Sequence, residues 1–211
     1  MEFSESERMV LENLIHWRRD VRGHQFIDQP IPQEVQDRIL TAGIKAPSVG
    51  YSQPARFITV NNPETKAKIR NIFDQSREQE ARNFSDERRQ KYDQLKLDGI
   101  LEAPLNIAVY YQNPEAPTLG QTAMPEVGMY SVVCAIQNMW LMARAFNIGM
   151  GWVSILDQKK LAPIFKASSS QKLIAYLCLG YVEKFLPIPE LKLKNWERQR
   201  DRNELIFKEH F

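Results

Sequence analysis

The sequence Arg18-Arg19-Asp20-Val21-Arg22 places three guanidinium groups and one carboxylate in five consecutive positions, directly before Gly23. Three cations at such short spacing repel one another unless they hold an anion, and guanidinium groups suit phosphate or a polarised carbonyl. We therefore interpret these residues, called the arginine segment below, as a ligand-binding turn. The alternative is a solvated surface turn with a local Asp–Arg ion pair, which is a common and weak feature.

Helical patterns flank the arginine segment on both sides. Ser4 and Glu7 fit a capping box, and apolar residues at helical spacing follow them, so a first helix delivers the chain to the segment. A second helix is expected to begin around Pro32 and to end at Ala46, because Pro47 disfavours helical backbone at the preceding residue.

Two later stretches also favour helices. Residues 64–98 carry charges of both signs, few apolar residues and no Pro or Gly, which is typical of long solvated helices. Their mixed charge argues against a nucleic-acid-binding surface. Residues 129–148 are apolar on several faces and are followed by Gly149, so we expect a helix at the centre of the core or of a subunit interface.

Short apolar runs between these helices predict strands. The expected strands are residues 56–60, 105–111, 150–156 and 173–182. We therefore expect an α+β fold with a mixed sheet of four or five strands flanked by helices, in a single domain of residues 1–211. Residues 112–128 contain three Pro and two Gly and are expected to form a loop or lid, and residues 183–211 a C-terminal arm.

The composition is that of an ordinary globular protein. The 211 residues are 43% hydrophobic and 26% charged, and 28 Lys and Arg against 26 Asp and Glu give a net charge of +2. So small a net charge does not indicate a nucleic-acid or membrane partner. His16, His24 and His210 are scattered, and neither HExxH nor CxxC spacing occurs, so no metal site is expected.

The two cysteines bear on the cellular compartment. Cys134 and Cys178 both lie in apolar runs, where a thiol serves as a small hydrophobe, and this favours a reducing environment. The first residues, MEFSESERMV, lack a basic region followed by an apolar one, and no apolar run approaches membrane-spanning length. We therefore expect a cytoplasmic protein.

Taken together, six blocks of the sequence resemble the nitroreductase-like flavoprotein superfamily. In that superfamily an RR-x-x-R turn, an APS-x-x-x-QP loop and a G-x-G-x-x-S strand entry converge on FMN. The blocks resemble one branch in particular, the 5,6-dimethylbenzimidazole synthases, in the right order across residues 14–182. They are Arg18–Arg22, Ala46–Pro54 (APSVGYSQP), Met124–Glu126, Tyr130–Asn138, Gly151–Leu156 and Ala175–Tyr181.

This resemblance implies a nitroreductase-like fold, an arm-exchanged homodimer with residues 129–148 at the interface, and FMN rather than FAD or NAD as the cofactor. Arg18, Arg22 and Arg200 would neutralise the FMN phosphate, and Arg19 would face the ring. The other implied FMN contacts are the backbone of Asp20, Val21 and Arg22, together with Ser48, Ser52, Gln53, Gly151 and Ser154.

The resemblance also implies a reaction. Reduced FMN would be the substrate, and O2 would fragment it to 5,6-dimethylbenzimidazole and erythrose 4-phosphate for cobalamin biosynthesis. A separate flavin reductase would supply the electrons from NAD(P)H. Asp20 and Ser154 are the expected catalytic residues. Asp20 would accept a proton, since neighbouring arginines favour its ionised form unless burial outweighs them, and Ser154 would contact the ring.

Two other functions remain open at this point. An NAD(P)H-dependent FMN nitroreductase would share the arginine segment but keep an open site for nicotinamide. A non-catalytic flavin-binding protein would keep the fold and lack a catalytic Asp20. The ordinary alternative for Asp20 is a simple ion pair, and for Ser154 a satisfied hydroxyl at a strand end.

Overall fold

The protein alternates helices and strands through most of its length. The structure is a computed structural model that describes residues 2–211. Within that range the α-helices are α1 (Glu5–Trp17), α2 (Gln33–Ile44), α3 (Pro63–Ala81), α4 (Asp86–Asp93), α5 (Val127–Ala145), α6 (Gln158–Phe165) and α7 (Glu190–Leu193). The strands are β1 (Ala55–Val60), β2 (Leu105–Gln112), β3 (Ile148–Val153) and β4 (Gln171–Tyr181).

The four strands form one sheet in the order β1-β2-β4-β3. The α+β class and the four strands are therefore confirmed. All three strand pairings are antiparallel. The parallel component of the expected mixed sheet is confined, in residues 2–211, to a single bridge between Asp20 and Met150. The arginine segment thus runs along the outer side of β3, at one edge of the sheet.

Both faces of the sheet are covered. On one face α2 and α5 supply Ile39, Ile136 and Met139, which pack on β2 and β4 residues such as Leu177. On the other face α3 and α6 supply core side chains, among them the fully buried Phe73. Since successive strand residues point to opposite faces, the two central strands are apolar almost throughout, as the sequence shows.

Helix α1 differs from the other long helices because none of its residues is buried. The expected capping box is present: Glu7 N–H bonds the Ser4 hydroxyl, and the Ser4 backbone N–H donates to the Glu7 carboxylate at 2.8 Å. Local hydrogen bonds therefore support this helix, while Met9, Ile15 and other apolar side chains lie exposed.

The charged stretch and the arm contact one another. The stretch forms two helices, α3 and α4, as expected, but α3 is not fully solvated, since Ile69, Ile72 and Phe73 are buried. Trp196 of the arm packs edge-on against Phe84 at 5.5 Å between ring centroids and lies near Tyr92, and the Arg88 guanidinium lies 4.5 Å above the Trp196 ring. In this chain the arm therefore folds onto its own α3–α4 region.

Three expectations from the sequence need correction. The central helix begins at Val127 and ends at Ala145, and β3 begins at Ile148, so Gly149 lies inside a strand. Cys178 is buried as expected, but Cys134 is exposed on α5. The apolar run around Cys134 belongs to a helix with one uncovered side.

No helix in residues 2–211 has the length and apolar character to cross a membrane.

Candidate functional site

The arginine segment is held against β3 by its backbone. The Val21 N–H donates to the Met150 carbonyl oxygen at 3.2 Å, next to the Asp20–Met150 bridge. A Cβ atom at residue 151 would overlap the Val21 carbonyl oxygen, and one at residue 149 would lie 2.8 Å from a Val21 methyl. Glycine at both positions is thus required by close packing of the segment, which explains the Gly-Met-Gly pattern.

Asp20 and Arg22 form an ion pair at the end of β3. The Asp20 carboxylate accepts a hydrogen bond from the Trp152 N–H at 3.2 Å, and its second oxygen pairs with the Arg22 guanidinium. The other guanidinium nitrogen of Arg22 donates to the carbonyl oxygens of Leu97 at 2.9 Å and Trp152 at 3.1 Å. These bonds fix the orientation of both side chains before any ligand binds.

Burial decides the direction in which the pKa of Asp20 moves. Burial raises the pKa of the Asp20 carboxyl, while Arg22, the Trp152 N–H and Arg18 lower it and the Glu190 carboxylate raises it further. The net pKa lies above the ordinary value of 3.8. Burial therefore outweighs the arginines, the exception that the sequence interpretation left open, and Asp20 is a stronger base than an ordinary aspartate.

Arg19 has a structural role in this chain. Its buried guanidinium donates to the carbonyl oxygens of His16 at 2.8 Å, Arg18 at 2.7 Å, Leu186 at 3.0 Å and Pro187 at 2.6 Å. These bonds use four of its five N–H donors and tie the end of α1 to the start of the C-terminal arm. The expectation that Arg19 faces a ring does not agree with this arrangement.

Arg18 lies beside a small cavity. Its guanidinium stacks 4.8 Å from the Trp140 ring centroid, and it forms no ion pair within residues 2–211. The cavity has a volume of about 150 Å³, room for about five waters. It is lined by Arg18, Arg19, Asp20, Arg22, Leu95, Lys96, Pro189, Glu190 and Leu191.

Sequence reasoning missed Lys96 and Glu190 in this cavity. One Glu190 carboxylate oxygen lies 3.6 Å from the His24 imidazole, and the other is buried without a hydrogen-bond partner. Neither residue belongs to a motif, because Lys96 lies in the charged stretch and Glu190 in the arm. The Pro189-Glu190 helix start was the only available signal, and it predicts a helix rather than a site.

The loop of residues 46–54 carries Ser48, Ser52 and Gln53. The Gln53 N–H donates to the Ser48 hydroxyl at 3.0 Å, and the Val49 N–H donates to the Ser131 hydroxyl at 3.1 Å. The Ser52 hydroxyl is buried without a partner. The loop lines a second cavity of about 440 Å³ that no residue of the arginine segment reaches.

The two groups of predicted binding residues lie apart within one chain. Ser131 near the start of α5 holds the loop, whereas Trp140 near its end donates its indole N–H to the Arg19 carbonyl oxygen at 3.2 Å. Nine residues of helix separate these contacts by about 14 Å. Arg200 is also remote, since it lines an open groove within the arm.

Ser154 follows β3 directly and is exposed. It lies two residues after Trp152, whose N–H binds Asp20, and its hydroxyl forms no hydrogen bond within residues 2–211. The structure therefore brings Arg18, Asp20, Val21, Arg22 and Gly151 together, with Ser154 at the margin. The residues left outside this group are Ser48, Ser52, Gln53 and Arg200.

Comparison with known proteins adds an independent observation. The Nitroreductase family profile matches residues 15–181. The 5,6-dimethylbenzimidazole synthase of Rhodospirillum rubrum is 40% identical over 200 residues, covering 94% of both chains. A protein of the same name from Rhodobacter capsulatus is 36% identical over 199 residues, covering 93% of this chain and 95% of the relative.

A solved structure agrees with the fold. Iodotyrosine deiodinase, in a crystal structure with FMN and 3-iodo-L-tyrosine, superimposes with a TM-score of 0.74 at 22% sequence identity. The match covers 95% of this chain and 99% of that one. At this identity the similarity establishes the shared fold.

Proposed function

The chain belongs to the nitroreductase family, and from this we propose that it catalyses the oxygen-dependent fragmentation of reduced FMN to 5,6-dimethylbenzimidazole. Erythrose 4-phosphate would be the second product, and the benzimidazole would serve cobalamin biosynthesis. Two relatives that carry the synthase name match nearly the whole chain at 40% and 36% identity, which favours this activity over an NAD(P)H nitroreductase.

The observation that carries the proposal is the half-buried Asp20 carboxylate, held by Arg22 and Trp152 beside a cationic cavity. The residues present fit FMN in part. Guanidinium and ammonium groups around a cavity of about 150 Å³ suit a phosphate, but the three-ring system of a flavin needs more room than this cavity offers. The flavin ring would have to lie outside this cavity. It would then need binding residues such as those of the loop 46–54, which lie apart from the arginine segment within one chain.

A homodimer would supply those residues. The loop of residues 46–54 lies about 14 Å along α5 from the arginine segment, so a second copy could place its loop opposite the first copy's arginine segment. Apolar side chains are exposed on α1 and α5, among them Met9, Ile15 and Val133. Their exposure supports a dimer interface formed by the surface of these two helices. In the dimer we propose, residues 183–211 act as an exchanged arm of the single domain. Its first part keeps the contacts of Leu186 and Pro187 with Arg19, and its end would leave the α3–α4 region, which could bring Arg200 to the partner's phosphate.

The roles of the residues follow from their positions. Bound reduced FMN supplies the electrons for O2 and the carbon atoms of the product. Asp20 accepts a proton from the substrate, because its raised pKa makes it a stronger base while Arg22 keeps it oriented. The unpaired Ser154 hydroxyl contacts the ring, and residues 112–128 act as a lid that excludes water during the reaction.

Electrons would come from outside this protein. We propose that a separate flavin reductase uses NAD(P)H to reduce FMN in the cytoplasm, and that this chain takes up the reduced form. The charged α3–α4 surface and a net charge near zero fit a small-molecule substrate better than a nucleic acid.

The test supplies chemically reduced FMN and O2 to the purified protein and follows the products by chromatography. We expect 5,6-dimethylbenzimidazole from the native protein. Asp20→Asn should bind flavin but lower the product yield about 100-fold, the range of a lost general base. Asp28→Asn, at an exposed carboxylate, is the matched control and should keep full yield. Clean reoxidation to intact FMN by the native protein would refute the proposal.

A further inference from the structure

One wall of the cavity beside the arginine segment comes from the charged stretch, at residues 95 and 96. The chain directly after them is tied to the arginine segment by hydrogen bonds. Arg22 donates to the Leu97 carbonyl oxygen at 2.9 Å, and the Gly23 N–H donates to the Asp98 carbonyl oxygen at 2.7 Å. The position of Lys96 relative to Arg18 and Arg22 is therefore set by backbone contacts and does not depend on a flexible surface turn.

Packing around residue 99 reinforces this tie. A Cβ atom at Gly99 would lie 2.7 Å from the Phe26 ring and 3.1 Å from the Gly23 nitrogen, so the two backbones are in direct contact. The Asp98 carboxylate accepts a hydrogen bond from the Arg70 guanidinium at 3.3 Å, which anchors the stretch to α3. Lys96 thus approaches the cavity from a well-supported segment.

The charges around the cavity are not balanced. Its lining includes four cationic side chains against two carboxylates, an excess of two positive charges. Arg22 is paired with Asp20, and Arg19 is bound to carbonyl oxygens. Arg18 and Lys96 form no ion pair in residues 2–211. Two cationic residues of the cavity lining, Arg18 and Lys96, therefore have no carboxylate partner in the described range.

We infer that Lys96 is a phosphate ligand, which with Arg18 binds the phosphate of the flavin substrate. This inference rests on the proposed function and adds a binding residue to it. A phosphomonoester carries a charge of about −1.5 to −2 near neutral pH, which matches the excess of positive charge. Glu190 lies in the same cavity and opposes an anion there, while the His24 imidazole is its nearest basic neighbour. Lys96 therefore offsets a repulsion that Arg18 alone would have to overcome.

The test compares two oxidised flavins that differ only in the phosphate. Binding of FMN and of riboflavin is measured by quenching of flavin fluorescence, with the full-length protein and without turnover. Lys96→Gln should weaken FMN binding about tenfold or more, the range of a lost charge-assisted hydrogen bond, and should leave riboflavin binding within about twofold. Lys96→Arg should restore most of the FMN affinity.

Lys91→Gln is the matched control. Lys91 lies on α4, five positions earlier in the chain, and its ammonium faces Glu87 at 3.8 Å rather than the cavity. We expect no change in the binding of either flavin. Inorganic phosphate should compete with FMN in the native protein and compete less in Lys96→Gln.

Two results would overturn the inference. One is an equal loss of FMN and riboflavin affinity in Lys96→Gln, which would indicate a structural role, and the other is unchanged FMN affinity. Because these measurements need no product, they separate the inference from the proposed function. Failure to form the benzimidazole, with the phosphate-dependent effect of Lys96 intact, would remove the reaction and leave the phosphate site.

Discussion

The arginine segment and the loop of residues 46–54 are both predicted to bind one ligand, yet the structure prepares them differently. In the segment, Asp20 and Arg22 have partners within the same chain. In the loop, Tyr51 and Gln53 have φ angles of 54° and 45°, and the Ser52 hydroxyl is buried without a partner. Positive φ at such residues is costly and is concentrated at functional sites.

This difference indicates that one chain completes the arginine segment but leaves the loop of residues 46–54 incomplete. The segment is assembled by pairing with β3, which is part of the core sheet. The loop stores backbone strain and an unsatisfied hydroxyl, which a ligand or a second copy of the chain could relieve. Experiments that disturb the contacts of the segment should therefore cost more stability than experiments on the loop.

The largest effect is expected at Gly151. Gly151→Ala places a methyl group against the Val21 carbonyl oxygen, so the segment must move away from β3. We expect a loss of about 3 kcal/mol in the free energy of unfolding, measured by urea denaturation, together with loss of flavin binding. Gly149→Ala is the comparison, because it meets only side-chain methyls and should cost about half as much. Equal, small losses would show that the segment is not held as described.

A smaller effect should appear in the pH dependence of stability. Since the pKa of Asp20 is raised above 3.8 in the folded protein, the folded state binds this proton more tightly than the unfolded state. The contribution of Asp20 to stability is therefore largest below the ordinary pKa and is lost as pH rises through the raised one.

Asp20→Asn removes this titration. The difference in unfolding free energy, variant minus native, should rise with pH from about 4 upward and become constant once pH exceeds the raised pKa. Urea denaturation at a series of pH values measures it, and Asp28→Asn controls for the change in net charge. A difference that falls with rising pH below about 4 and is flat above it would mean that the arginines, rather than burial, set the pKa of Asp20.

The smallest effect is expected in the loop. Tyr51 is exposed and has positive φ, so Tyr51→Gly should be neutral or should stabilise the protein by up to about 1 kcal/mol. Thr59→Gly, at an exposed position of β1, should instead destabilise by about 1 kcal/mol. Thermal unfolding of both variants makes the comparison. Strong destabilisation by Tyr51→Gly would show that the loop is held by Tyr51 contacts and is not strained.

Local features were predictable from the sequence. The Ser4–Glu7 capping box and the apolar run of β4 are properties of neighbouring residues, and both were expected. The end of the central helix was predicted wrongly, because a glycine that follows an apolar helix, here Gly149, usually marks the point where the helix stops. The strand actually begins one residue earlier, where Ile148 pairs with Tyr181. The antiparallel direction of all strand pairs could not be predicted either, because strand pairing depends on residues far apart in the chain.

The site was predictable only where its residues are close in sequence. A local Asp–Arg ion pair was the ordinary alternative for these residues, and Asp20 does pair with Arg22. The position of Arg19 depends on carbonyl oxygens of Leu186 and Pro187, at a sequence separation of 167 and 168 residues. Lys96 reaches the cavity through backbone contacts that no motif encodes. Tertiary contacts of this kind decide which charged side chains remain free to bind a ligand.

The two thiols described above give the protein a native labelling position. Burial raises the pKa of the Cys178 thiol, so it should resist alkylation while the chain is folded, whereas Cys134 on α5 is exposed. A maleimide fluorophore or nitroxide would therefore attach at one place, between the helix positions that hold the loop and the arginine segment. Because Cys134 is next to Val133 on the side of α5 that the proposed dimer would cover, its rate of alkylation should fall as the dimer assembles, without any engineered cysteine.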